Sequence, residues 1–232
     1  MSADTTMAPT GEPGRFNGLL RDGLEQIGCS LAPETIEQLA LYAAELRKWN
    51  RRINLVARNT TVVDIVERHF IDSLTLLPFL SAIGKKDNDN ILLDVGTGAG
   101  FPGLVLAVTR PDLRVILVEP RLKRVSFLQH INRYLHLNNV EIINARLEES
   151  DILTDRRIDL VTCRALAEPG IFLAMVEPLL QRGTRALLML GPEQEKRLIS
   201  ELPDHCSVEK RREIRLPWSG RQRFLLAVTT IN

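Results

Sequence analysis

The sequence has few of the features that would supply a covalent, metallic or membrane-bound framework. Its three cysteines, Cys29, Cys163 and Cys206, are odd in number, far apart and without C-x-x-C spacing, so neither a disulfide scaffold nor a metal site is expected. No apolar run reaches the length needed to span a bilayer. The first 14 residues are polar, proline-containing and acidic, unlike a secretory leader. A cytoplasmic protein with no membrane partner is the expectation. Neither sign of charge dominates, since 30 Lys and Arg against 29 Asp and Glu leave a net charge of +1. Any nucleic-acid partner must therefore be sought in local clusters. The remaining composition, 44% hydrophobic and 25% charged over 232 residues, is that of a globular chain with room for one domain and an appendage.

What is present is concentrated in residues 91–103, ILLDVGTGAGFPG. The apolar run reads as a buried strand. Gly96, Gly98 and Gly100 then let the backbone turn sharply and approach a ligand, because glycine takes positive φ freely and has no Cβ. Pro102 suits the first turn of a helix. Two cofactor classes use such a strand–loop–helix unit. A frame of Gly98, Gly100 and Gly103 satisfies the dinucleotide fingerprint G-x-G-x-x-G. The frame from Gly96 is G-x-G-x-G with Asp94 two residues before it, an acidic pattern that suits a cofactor bearing a cationic amine and sulfonium rather than a pyrophosphate. Residues 113–118 form a second apolar strand ending at Glu119, about 20 residues past the loop, where a ribose-binding acid belongs.

Along the chain, residues 1–15 read as a disordered tail, and helical periodicity follows through Phe16, Leu20, Leu24 and Ile27 to Gly28. A second helix runs from about Pro33 to Trp49. Residues 49–55 read as a turn into a short extended piece, and residues 62–80 as a third helix carrying Arg68, His69 and Asp72. Taken alone, His69 and Asp72 read as a solvated or capping pair. The polar stretch 84–90 divides an N-terminal helical segment, residues 16–88, from a core of residues 89–232. In the core, strands and helices alternate, which predicts an α/β fold with a parallel sheet built from βαβ units. Strands are expected at 140–144, 158–165 and 185–190, with helices at 169–180 and 192–202. Residues 207–216 and 223–231 flank PWSG as a terminal hairpin.

The stretches DVGTGAGFPG at 94–103, KRVSFL at 123–128, CRA at 163–165 and WNRRINL at 49–55 together resemble the bacterial 16S rRNA guanine-N7 methyltransferases, formerly called glucose-inhibited division protein B. The resemblance runs from about residue 16 to the end of the chain. It implies a Rossmann-like class I methyltransferase sheet, S-adenosylmethionine as cofactor, and 16S rRNA or the small ribosomal subunit as partner. It implies cofactor contacts at Gly96, Phe101, Leu147, Glu148 and Arg164, which join Asp94, Gly98, Gly100 and Glu119. A monomer is expected.

The residues suit that chemistry. An Asn/Asp-Pro-Pro-aromatic motif, common in methyltransferases of exocyclic amines, is replaced after strand four by Cys163-Arg164-Ala165. Guanine N7 has an in-plane lone pair and no proton to lose, so positioning and exclusion of water suffice and no catalytic acid or base is expected. Cys163 reads as a small buried apolar residue rather than a nucleophile. Basic candidates for rRNA phosphates are Arg51, Arg52, Arg68, His69, Lys123 and Arg124. Two other readings stay open: an NAD-linked oxidoreductase using the shifted glycine frame, and an inactive RNA-binding module on a methyltransferase fold.

Overall fold

Alternate residues of the central strands are apolar on both faces, which is the pattern of a parallel sheet covered twice by helices. The computed structural model, which describes residues 12–83, 90–164 and 168–231, has that arrangement. Helices α1 (Glu12–Gln26) and α2 (Pro33–Asn50) lead into a broken helical segment. That segment comprises α3 (Val62–Ile65), a π-helical turn (Val66–Ile71), α4 (Asp72–Leu74) and α5 (Leu76–Ile83). Next come β1 (Ile91–Val95), α6 (Gly103–Thr109), β2 (Arg114–Val118), α7 (Leu122–Tyr134) and β3 (Val140–Ile143). A 3₁₀ turn (Leu147–Glu149), α8 (Ile152–Asp155), β4 (Leu160–Cys163), α9 (Pro169–Met175) and α10 (Glu177–Leu180) follow. The chain closes with β5 (Arg185–Leu190), α11 (Pro192–Ser200), β6 (Cys206–Arg215) and β7 (Gln222–Thr230).

The strands form one seven-stranded sheet in the order β3-β2-β1-β4-β5-β7-β6. The first five are parallel, while β7 runs antiparallel to β5 and pairs with β6 as the expected terminal hairpin. The order reverses between β1 and β4, so their carboxyl ends open a crevice of the kind in which α/β sheets bind ligands.

Strand pleating sends Leu92, Val115, Leu117, Leu160 and Leu187 to one face, with α1, α2, the π turn and α6. Leu93, Val95, Ile116, Val118, Val161 and Leu188 go to the other, with α9 and α10. The N-terminal helices are thus one covering layer of the sheet. Tyr42, Phe70, Phe79 and Phe127 are among its largest fully buried side chains.

Several boundaries differ from the sequence reading. Helix α1 begins at Glu12, inside the stretch expected to be disordered, and residues 1–11 lie outside those described. Residues 51–55 form no extended piece: the Asn50 side chain accepts from the amides of Leu55 at 2.8 Å and Val56 at 3.0 Å and closes a compact loop. The expected third helix is interrupted by the π turn. Its start follows from Thr61-x-x-Asp64, a reciprocal capping box in which Thr61 accepts from the Asp64 amide and the Asp64 carboxylate accepts from that of Thr61. Strand β4 ends at Cys163, short of Arg164, and the helix expected over 169–180 breaks at Val176. The linker at 84–89 and Ala165 lie outside the described residues.

Candidate cofactor and acceptor site

The glycine loop leaves β1 with Gly96, Gly98 and Gly100 all at positive φ, between 65° and 94°. Asp94, fully buried on the last turn of the pleat, holds this loop. One of its oxygens, Oδ2, accepts from the Thr97 hydroxyl at 2.6 Å and from the Gly103 amide at 2.8 Å. The other, Oδ1, is buried with no hydrogen-bond partner among the described residues. Burial raises the Asp94 pKa to about 6, although the Thr97 and Gly103 hydrogen bonds pull the other way.

Across the loop, Glu119 is 2% exposed. Its Oε2 accepts from the Gly98 amide and its Oε1 from the Arg121 amide, both at 2.9 Å. A carboxylate has about four lone-pair sites, so capacity for two further donors remains. Asn144, at the end of β3, donates to the carbonyls of Glu119 and Pro120 and fixes that corner. Leu147 is buried in the next turn, and Glu148 is exposed beside it.

Six amides of the loop are engaged inside the protein. Those of Gly96 and Thr97 donate to the Val118 carbonyl, Gly98 to Glu119, Gly100 and Phe101 to the Thr97 carbonyl, and Gly103 to Asp94. A pyrophosphate needs such N–H groups free at the loop and helix start. Here a phosphate would meet a carboxylate instead, which disfavours the dinucleotide frame.

The glycines divide by role. A Cβ on Gly100 would lie 2.6 Å from the Tyr42 hydroxyl, and one on Gly103 would lie 2.5 Å from Leu117. Their smallness serves internal packing. Gly98 has open space, the nearest atom being 3.7 Å away on Arg124, and both Gly96 and Gly98 are partly exposed. These two are the glycines of the loop with accessible surface.

Phe101 is 3% exposed and packs in an aromatic cluster, stacked on Tyr42 at 5.5 Å and edge-on to Phe70 at 5.4 Å. His69 lies 4.9 Å from its ring centroid and the Arg164 guanidinium 5.0 Å from it. From the end of β4, Arg164 reaches the π turn. It donates to the Arg68 carbonyl at 2.7 Å and to His69 Nδ1 at 2.8 Å. Arg164 also stands 3.9 Å from Asp72, which is paired with Arg223 at 2.9 Å. Asp72 is 2% exposed, so His69 and Asp72 are not the solvated pair that their sequence context suggests. The π turn, an irregularity that is frequent at functional sites, places both toward Arg164.

Beside this cluster lies a cavity of about 270 Å³ at the carboxyl ends of β4 and β5, lined by residues that include Arg68, His69, Asp72, Cys163, Gln194 and Arg223. Cys163 of its lining pairs with Val95, the residue that precedes the glycine loop, across the reversal between β1 and β4. The other basic candidates are dispersed. Arg124 Nη1 lies 3.6 Å from Glu119 Oε2, on the loop rather than free for phosphate, while Lys123 is exposed. Arg51 lines a separate cavity of about 480 Å³ with Arg47 and Arg58, and Arg52 is exposed. Arg68 is paired with Asp64 at 3.1 Å. Sequence reading missed Tyr42, Asn144, Gln194 and Arg223, whose parts depend on contacts between distant segments.

A profile of the GidB family, described as rRNA small subunit methyltransferase G, matches residues 35–226. Curated proteins named ribosomal RNA small subunit methyltransferase G are similar over nearly their whole length. One from Desulfotalea psychrophila is 41% identical over 92% of this chain and 97% of its own. Another, from Neisseria meningitidis serogroup B, is 34% identical over 90% and 96%. Among solved structures, a fibrillarin/Nop5p complex matches with a TM-score of 0.52 at 16% identity, over 71% of this chain and 85% of the other. TrmN from Thermus thermophilus matches with a TM-score of 0.51 at 16% identity, over 72% and 53%. These two likenesses bear on the fold alone. With an acidic glycine loop most of whose amides are internally satisfied, a donor-lined cavity at the neighbouring strand ends and a family match across most of its length, the chain belongs to the GidB family, rRNA small subunit methyltransferase G.

Proposed function

We propose that this protein transfers the methyl group of S-adenosylmethionine to N7 of a guanosine in 16S rRNA of the small ribosomal subunit. The observation that carries the reading is the pairing of two adjoining features: a glycine loop closed to phosphate but flanked by Asp94 and Glu119, and a cavity rich in hydrogen-bond donors at the ends of β4 and β5. When bound, S-adenosylmethionine supplies an electrophilic methyl group on a sulfonium centre.

The residues present fit that cofactor. The buried Asp94 Oδ1 lacks a partner among the described residues and is matched to a cationic amine. Glu119 has spare acceptor sites for a pair of ribose hydroxyls, and Gly96 and Gly98 permit close approach. Leu147 and Glu148 flank the same strand ends, while Arg164 and Phe101 separate the glycine loop from the acceptor cavity. Guanine N7 offers its lone pair without deprotonation, so the chain's task is to align the base with the methyl group and keep water out. No general base is assigned. Arg51, Arg52, Arg68 and Lys123 are the residues offered to rRNA phosphates, which fix the register of the substrate.

We place the enzyme with its substrate in the cytoplasm. We read the protein as a monomer. Among the described residues, no helix is long and apolar enough to cross a membrane.

Mapping N7-methylguanosine in 16S rRNA from cells with and without the gene tests the reading, and one guanosine should lose its methyl group. Purified protein should bind S-adenosylmethionine in calorimetry and ignore NAD. Binding of NAD instead would restore the oxidoreductase reading, and cofactor binding without any methylation would favour an inactive RNA-binding module.

A further inference from the structure

His69 has a fixed tautomer. Its Nδ1 lies 2.8 Å from Arg164 Nη2, and a guanidinium has donors only. Nδ1 must therefore accept, and in the neutral ring the hydrogen is on Nε2. The ring is held in place by Phe101 at 4.9 Å, and the Ser73 hydroxyl donates to the His69 carbonyl at 2.6 Å. Burial, with Arg164 and Arg68 nearby, lowers the His69 pKa to about 3, so the imidazole is neutral at physiological pH. Its Nε2–H has no hydrogen-bond partner among the described residues, and the ring lines the cavity.

The cavity's other polar groups are largely committed. Arg164 is held by the Arg68 carbonyl and His69, Arg223 by Asp72, and Arg68 by Asp64. Asp72 is the carboxylate in the lining, and it faces Arg223 and Arg164. Gln194 Oε1 accepts from the Gly191 amide at 3.2 Å, which leaves its amide nitrogen as a donor. A site lined this way selects a ligand edge made of acceptors. Guanine presents N7 and O6 on that edge, both acceptors, whereas adenine presents N7 and an amino donor. N7 must keep its lone pair free for the methyl group, so the oxygen beside it is where a protein donor can bind. A neutral donor adds no positive charge next to a ring that becomes cationic on methylation.

We propose that His69 is the specificity-determining residue for the base: its Nε2–H donates to O6 of the target purine, admitting a 6-oxo purine and rejecting a 6-amino one. This rests on the methyl-transfer reading above, and sharpens it from a candidate phosphate contact at His69 to a base contact.

The test measures methyl transfer from labelled S-adenosylmethionine to small-subunit rRNA by the full-length chain. Two RNAs are compared, one carrying the mapped target guanosine and one carrying 2-aminopurine there, which keeps N7 but lacks O6. Wild type should lose about tenfold or more in kcat/KM on the second RNA, the scale of one lost base contact. His69→Phe keeps a ring against Phe101 and removes the donor. It should lose a similar factor on the guanosine RNA, show no further loss on 2-aminopurine, and bind cofactor within about twofold of wild type. His69→Gln should recover most of the activity, because its oxygen can accept from Arg164 while its nitrogen donates to the base. Undiminished wild-type methylation of the 2-aminopurine RNA overturns the proposal, whatever the fate of the variants. So does a His69→Phe variant as active as wild type, or one whose deficit is explained by cofactor affinity. If wild type fails to methylate the guanosine RNA at all, the functional reading itself falls and the His69 assignment falls with it.

Discussion

The Tyr42 hydroxyl, on the second helix, donates to the carbonyl of Ala99 inside the glycine loop. Through that contact the N-terminal helices clamp the glycine loop. Tyr42 is fully buried, and burial pushes its phenol well above the ordinary range, so it remains a donor at any working pH. Tyr42→Phe should cost about 1 to 3 kcal/mol, because the Ala99 carbonyl is left without its donor. Gly100→Ala should cost as much or more, since its φ of 94° disfavours a side chain and the new Cβ would lie 2.6 Å from the Tyr42 hydroxyl. Combining the two should cost less than the sum, as removing the hydroxyl makes room for the methyl group. Urea unfolding of the four proteins reads the coupling, and strict additivity would mean that the clash is relieved elsewhere.

Asp94 should make stability and cofactor affinity depend on pH in opposite directions. Its folded pKa of about 6 lies above its ordinary value of 3.8. The stabilisation is fully present below about pH 4 and is lost as pH rises through 6, to a total of roughly 3 kcal/mol. The stability of wild type relative to Asp94→Asn should fall by up to that amount between pH 4 and 7. A constant difference across that range means Asp94 ionises normally in the fold. S-adenosylmethionine favours the ionised carboxylate, so its affinity should rise through pH 6 in wild type and stay flat in the variant.

Lys123 and Arg124 are neighbours in sequence with separable effects. Lys123→Glu should lower methylation of rRNA and reduce the salt dependence of RNA binding by about one phosphate contact, leaving cofactor affinity unchanged. Arg124→Glu sets a like charge against Glu119, and should weaken cofactor binding by about 1 to 2 kcal/mol. Calorimetry with S-adenosylmethionine separates the pair. Equal cofactor affinity in the two variants would return Arg124 to the RNA surface.

Arg223 pairs with the buried Asp72 in the wall of the cavity at the carboxyl ends of β4 and β5. Arg223→Met leaves Asp72 facing Arg164 alone at 3.9 Å, and should destabilise the protein by about 2 to 4 kcal/mol, since removing one partner strands the other. Adding Asp72→Asn should restore part of the loss. A double variant no more stable than Arg223→Met would show that the packing of the arginine stem, not its charge, was what mattered.

The strands, the glycine loop and the strand-end acid were legible because each follows from local rules: apolar periodicity, the freedom of glycine and the spacing of a βαβ unit. The π turn was not, because a single-residue irregularity leaves helical periodicity nearly unchanged. Asp72 illustrates the limit. Its neighbours in sequence suggest a solvated residue, and its burial depends on Arg223, 151 positions away. Arg124 shows the same limit in reverse, a surface-looking cation that the fold turns onto Glu119. Gly96 and Gly100 look alike in the motif, yet one is partly exposed while the other is buried and makes room for Tyr42.

Because most of the loop amides are already engaged, the folded protein has a selectivity that requires no ligand to induce it. A cell holds abundant ATP, NAD and other phosphorylated adenosine compounds, which share their adenosine with S-adenosylmethionine. Shared adenosine contacts alone would let those competitors crowd the pocket. The closed amides and the Glu119 carboxylate withhold any reward for the phosphates, and the phosphates bring like charge and desolvation cost instead. Methylation capacity should then follow the supply of S-adenosylmethionine and be nearly indifferent to the adenylate pool.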